Sequence, residues 1–118
     1  MKRFATMLLL TPLALASVTA LAADVDLEAG KAKSVVCQAC HGADGNAEVD
    51  PQYPRLAGQY ADYLAHALRQ YKSGGRTNAI MQGFVTTLSD QDISNVAAYF
   101  SSLPDTKLTN LAGRVQGD

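Results

Sequence analysis

Both cysteines of this 118-residue chain fall within four positions, Cys37 and Cys40, and one of its two histidines, His41, follows at once. The stretch reads "VVCQACHGADG" over residues 35–45. A group that engages all three side chains ties the fold to itself, so this stretch constrains the chain more than its composition does. Composition adds one point. There is no tryptophan and only 7% of the residues are aromatic, and a domain of this size buries roughly 65% of its unfolded surface. Its own core is modest, and a large apolar group at the centre would add the volume that its side chains do not supply.

The N-terminus bears on which group that is. Lys2 and Arg3 open the chain, and the almost uncharged run "FATMLLLTPLALASVTALAA" follows. Ala20-Leu21-Ala22 has the small-x-small form of a cleavage site, so residues 1–22 are expected to be a secretory signal that is removed. Pro12 interrupts the apolar core, and a bilayer span needs about 20 mostly apolar residues. An uncleaved anchor is therefore disfavoured. Residues 23–118 then form one domain, with its core at about 26–104. Without Lys2 and Arg3 the 10 basic residues become 8 against 11 acidic ones, a net charge near −3. No basic block is present, which argues against a nucleic-acid partner. No second apolar run follows, which argues against stable membrane insertion after cleavage. Export implies an oxidising compartment, in bacteria the periplasm.

Four chemistries use two cysteines at this spacing. Structural zinc wants four ligands, usually from two such pairs, and beyond His41 only His66 and carboxylates remain. A thiol–disulfide enzyme places its first cysteine at a helix N-terminus, where the thiol pKa falls; here the pair comes at the end of a helical pattern. A structural disulfide would close a very small loop and stabilise little. Covalent attachment of haem c uses all three side chains: the two thiols add to the two vinyl groups and the adjacent histidine is placed over the iron. The secretory signal favours this last reading, because the attachment is made outside the cytoplasm.

Three helical patterns and no convincing strand predict an all-α fold. The first covers about 26–37, with Asp24 or Asp26 as its cap. Val25, Ala29, Ala32 and Val36 fall on one face. Gly30 inside it costs about 1 kcal/mol relative to alanine, which calls for a close neighbour. The second covers about 59–72, with Tyr60, Leu64, Ala67, Leu68 and Tyr71 as its apolar stripe and Gly74 and Gly75 as its stop. In the third, Ser89 caps and Asp92 stands three residues on, as in a capping box. Ile93, Val96, Ala97 and Phe100 form its stripe, and Pro104 bars continuation. The segments between are read as loops, and the tail after Pro104 as polar and frayed.

An iron held by His41 has one further axial place. His66 shares the polar face of the second helix with Asp62, Arg69 and Gln70, and is read as a surface residue. Met81, the only methionine after the signal, is read as the sixth ligand, carried across the ring by a loop. Its alternative is a core filler. Thioether ligation favours Fe(II) and raises the potential. With both axial places filled, such a site does electron transfer rather than bond chemistry.

These segments together resemble the class I c-type cytochromes, above all the small monohaem proteins related to one half of cytochrome c4 and the cytochrome c553 type. "GKAKSVVCQACHGADGN", "YPRLAGQYADYL" and "IMQGFVTTLSDQDISNVAAYFSSL" carry the similarity, in this order. The resemblance implies an all-α fold of about three main helices around one covalently bound haem, with the first and last helices crossing. It implies that Gly30 lets Tyr99 or Phe100 approach, that the Pro54 carbonyl accepts the Nδ1 proton of His41, that Leu56 packs on the haem, and that Met81 is axial. It loosely implies Arg55 as a partner for a haem propionate. Cytochrome c4 has two haem domains and this chain has one motif, so passage of electrons between two haems does not carry over.

The expected protein is a periplasmic monohaem cytochrome, not an enzyme, that moves single electrons. A quinol-oxidising complex and a terminal oxidase are the redox partners that the resemblance implies. Two other readings stay open: a cytochrome subunit of a periplasmic enzyme complex, and a haem-based sensor in which Met81 is displaced by a ligand. No residue pattern specifies an oligomeric state.

Overall fold

The computed structural model describes residues 24–46, 50 and 52–104. The signal segment, its cleavage point and the tail after Pro104 lie outside the described residues. Four helices follow in order: α1 Leu27–His41, α2 Ala61–Ser73, α3 Ala79–Val85 and α4 Asp90–Ser102. Among the described residues there is no strand. The all-α expectation holds, with α1, α2 and α4 as the three main helices. The fourth, α3, lies where a loop was expected. Asn78 starts it by accepting hydrogen bonds from the backbone N–H groups of Ile80 (3.1 Å) and Met81 (3.0 Å). Seven residues with a glycine among them are too few to show a helical period.

α4 forms as its sequence directs. Ser89 Oγ accepts from the Asp92 N–H at 3.0 Å, and the Asp92 carboxylate accepts from the Ser89 N–H at 2.9 Å, completing the capping box. Ile93, Val96, Ala97 and Phe100 are all buried, and they make the core with Leu64 and Ala65 of α2. α4 packs on α1 and α2, and α2 packs on α3. Gly74, at φ +82°, ends α2 in the left-handed conformation that glycine adopts freely. Tyr60 precedes α2 as its N-cap and is 76% exposed, so it stands outside the buried stripe.

α1 differs from its expectation. It runs four residues further, through His41, and its buried face is not the apolar one. Val25 and Val36 are exposed, whereas Gly30, Ser34 and His41 are buried. The reason is the distance of approach to α4. A Cβ added at Gly30 would lie against the Asn95 carbonyl, 2.7 Å from its carbon and 3.0 Å from Tyr99 Cβ. The glycine admits the backbone of α4 at Asn95 and the stem of Tyr99; the Phe100 ring sits against Gly45 instead. Asn95 then joins the helices from its buried side chain. Its Oδ1 accepts from the Asp26 N–H at 3.0 Å and from Gln91 Nε2 at 2.9 Å. Asp26 is also the N-cap of α1, accepting from the Ala29 N–H at 2.9 Å.

Candidate functional site

Extension of α1 to His41 decides the site's layout. Cys37, Cys40 and His41 stand at i, i+3 and i+4, which on a helix is one face. That face borders a cavity of about 260 Å³. Pro54 and Leu56 line it from the segment between α1 and α2, and Met81 lines it from α3. All six residues singled out in the sequence therefore face one cavity. His66 does not line it and is exposed. Met81 is the third residue of α3, so a capped helix rather than a loop carries the thioether.

His41 is buried, and its Nδ1 lies 2.7 Å from the Pro54 carbonyl oxygen. A carbonyl only accepts, so this nitrogen carries the proton and Nε2 keeps its lone pair for a metal. The Tyr53 ring packs edge-to-face with the imidazole, 6.3 Å between centroids and 71° between planes. The carbonyl is brought there by a short anchored turn: Gly45 O accepts from the N–H groups of Leu56 (2.8 Å) and Ala57 (3.1 Å).

The cavity wall is mainly apolar. Leu64, Ala67 and Leu68 of α2 meet Val96, Ala97 and Phe100 of α4 there. Val36, Ile80 and Phe84, exposed to 55, 53 and 43%, belong to this wall, which is why α1 presents its valine here and not to α4. Tyr63, Arg76 and Phe84 were not identified from the sequence, and Tyr71 only as part of the α2 stripe. Phe84 stands three residues after Met81, a spacing that could have signalled it. Arg76 packs on the Tyr71 ring, its Cζ 5.3 Å from the centroid. Contacts with Tyr63 first, and then Tyr71, push the guanidinium pKa further up.

The thiol chemistry argues against a disulfide enzyme. Burial, and then the neighbouring Cys40, push the Cys37 thiol up, whereas a reactive thiol is held low. Zinc finds no support either: among the described residues no group of three or more His, Cys, Asp or Glu side chains is placed to hold a metal ion. Two thiols, an imidazole and a thioether around an apolar cleft fit a haem attached through both thiols, with nitrogen and sulfur offered to its iron.

Comparison with known proteins agrees. The family model Cytochrome c matches residues 27–104. Cytochrome c4 of Pseudomonas aeruginosa is 52% identical over 77 residues, covering 65% of this chain and 38% of that protein. Cytochrome c-554(548) of Halomonas halodenitrificans is 44% identical over 80 residues, covering 65% of this chain and 95% of that protein. A thiosulfate dehydrogenase electron acceptor of Thiomonas intermedia is 41% identical over 93 residues, covering 77% and 43%. Reduced recombinant cytochrome c4 from Pseudomonas stutzeri superposes with a TM-score of 0.64 at 44% identity, covering 69% of this chain and 47% of that one. The chain thus spans about two fifths of the cytochrome c4 relative, and nearly all of the Halomonas protein. Fold, motif and relatives agree: this chain belongs to the cytochrome c family, as a class I c-type cytochrome domain whose cofactor is covalently bound haem c.

Proposed function

We propose that this domain is a periplasmic electron carrier with one haem c, in which Cys37 and Cys40 hold the haem and His41 and Met81 are its axial ligands. The observation that carries the reading is the convergence of all four side chains on one apolar cleft. Haem c supplies reversible one-electron chemistry at its iron. Cys37 and Cys40 would hold the haem covalently through their sulfurs. His41 offers Nε2 because Pro54 takes the Nδ1 proton. Met81 offers its thioether from a helix pinned by Asn78. Leu56 and the α2 and α4 side chains on the cleft wall would keep water from the haem, which would strengthen electrostatic effects there.

Export by residues 1–22 delivers the chain to the compartment where such a haem is attached. No described helix is long and apolar enough to cross a membrane. A quinol-oxidising complex and a terminal oxidase are the partners for a free carrier. Similarity to the Thiomonas electron acceptor favours a second reading, in which an oxidising enzyme is the electron donor.

Visible absorption of the exported protein tests the assignment, oxidised, reduced and as the alkaline pyridine adduct. A c-type adduct with a weak sulfur-to-iron band in the oxidised form is expected. Met81→Ala should abolish that band with the haem still attached, and His66→Ala should leave it in place. The opposite pattern would exchange the two residues' roles.

A further inference from the structure

α3 carries Met81, and little of the protein holds α3. A helix of seven residues is too short to be stable alone, so its place depends on its neighbours. Among the described helices it packs on α2 and on no other. Val85 is its one buried residue. Ile80 and Phe84 are exposed and line the cleft, and the space beside Gly83 is open. Val85 aside, the apolar side chains of α3 therefore serve the cleft rather than a seam with α2.

Polar ties from α2 reach both flanks of α3. On the far flank, Lys72 Nζ in the last turn of α2 donates to the Leu88 carbonyl. On the near flank stands Arg76. Its N–H donates to the Gln70 carbonyl at 3.1 Å, just past the turn that Gly74 makes. Its guanidinium hydrogen-bonds the Tyr63 side chain and then that of Tyr71. It also lies over the Tyr71 ring, with Cζ 5.3 Å from the centroid. Backbone and side chain of this one residue thus both engage α2. Asn78, which caps α3, follows two residues later, and Met81 three residues after that.

We propose that Arg76 is a positioning residue for the sixth ligand: clasped to Tyr63 and Tyr71, it fixes the start of α3 and so keeps the Met81 thioether in place. The inference rests on the axial assignment of Met81 above. Arg76 acts through α3 and needs no contact with the haem. An outside ligand reaches the iron only when Met81 withdraws, and withdrawal shifts α3. The clasp must open for that shift, so it lowers the share of molecules with an open sixth site. Apparent affinity for an outside ligand scales with that share. The clasp thereby keeps the site a closed electron carrier rather than a ligand-binding centre.

The test titrates imidazole into the oxidised holoprotein and reads the loss of the sulfur-to-iron band. Arg76→Gln should tighten imidazole binding by roughly five- to twentyfold, the combined weight of a stacked cation and a hydrogen bond. Tyr63→Phe removes one partner without touching any charge, and should tighten it by about two- to fivefold. In the Arg76→Gln background, Tyr63→Phe should add nothing, because the two residues form one clasp. Arg76→Lys keeps a cation near Tyr71 but loses the fork that reaches Tyr63, and should fall between wild type and Arg76→Gln. Arg69→Gln removes a cation from α2 outside the cleft and should bind imidazole as wild type does. Additive effects in the double variant, or an effect of Arg69→Gln equal to that of Arg76→Gln, overturn the clasp. So does full recovery in Arg76→Lys with Tyr63→Phe silent, which would make Arg76 a charge and no more. An intact band with one imidazole affinity in every variant refutes the clasp alone, and a wild type without the band refutes the axial reading beneath it.

Discussion

α1 and α4 pack on each other, yet they are held by opposite kinds of surface. α4 buries the apolar stripe written in its sequence: Ile93, Val96, Ala97 and Phe100 are each 3% exposed or less. α1 buries Gly30 and Ser34 and leaves Val36 outside the core; Val25, just before its cap, is outside as well. For α4 the stabilising contribution is apolar area removed from water. For α1 it is closeness: the glycine lets the α4 backbone approach, and the bond from the Asp26 N–H to Asn95 locks the crossing, with Gln91 of α4 holding the same Asn95 oxygen. Close approach leaves the apolar side of α1 available to the haem cleft, where Val36 and Cys37 stand. A helix whose valines went to α4 would aim its cysteines elsewhere.

The contrast can be broken most severely from the α4 side. Phe100 is among the largest fully buried side chains, and Phe100→Ala should cost about 3–5 kcal/mol, read by denaturant unfolding of the holoprotein. Gly30→Ala is smaller but more telling, because its sign distinguishes the two accounts. An ordinary mid-helix glycine gains about 1 kcal/mol on replacement by alanine. Here the added Cβ meets the Asn95 carbonyl, and a loss of about 1–3 kcal/mol is expected in the same measurement. A stabilised variant would mean that the helices are not in close contact at this point.

Next in size is the start of α4. Ser89→Ala removes the cap and should cost about 1 kcal/mol. The capping box also ties stability to pH. The Ser89 backbone N–H, then its hydroxyl, then Lys33 at 3.4 Å hold the Asp92 carboxyl below its ordinary value of 3.8. The folded state therefore binds this proton less readily than the unfolded chain. The contribution is full above the ordinary value and is lost as pH falls below it, through the lowered folded value. Melting temperatures from pH 7 to pH 3 should show a shallower acid loss in Ser89→Ala than in wild type. The smallest effect belongs to the apolar residue just before the α1 cap: Val25→Ala, at a half-exposed position, should change stability by no more than about 0.5 kcal/mol.

Legibility followed the same division. α4 could be read in full, cap and stripe included, because apolar periodicity and the burying surface coincide there. The burying face of α1 could not, because glycine and serine give no hydropathy signal, and an apolar pattern does not say whether protein or prosthetic group will cover it. Met81 was singled out as a residue but not as part of a helix, since α3 is short and its start depends on the Asn78 side chain. Arg76 carried no local sign of its place: it comes to lie on the Tyr71 ring, and with Tyr63 on the cleft wall, only in the folded chain.

The cofactor of this protein was legible in the sequence alone. Cys37, Cys40 and His41 at the spacing of a haem c attachment motif pointed to the cofactor, because those residue types at that spacing have few other joint uses. Tertiary structure decided where the donors point and what surrounds them. It brought Pro54 to Nδ1 of His41, set α4 against Gly30, and gathered two arginines around an apolar cavity in an acidic chain. Each of these is a meeting of residues far apart in the chain, settled by packing distance and desolvation, which no local pattern records.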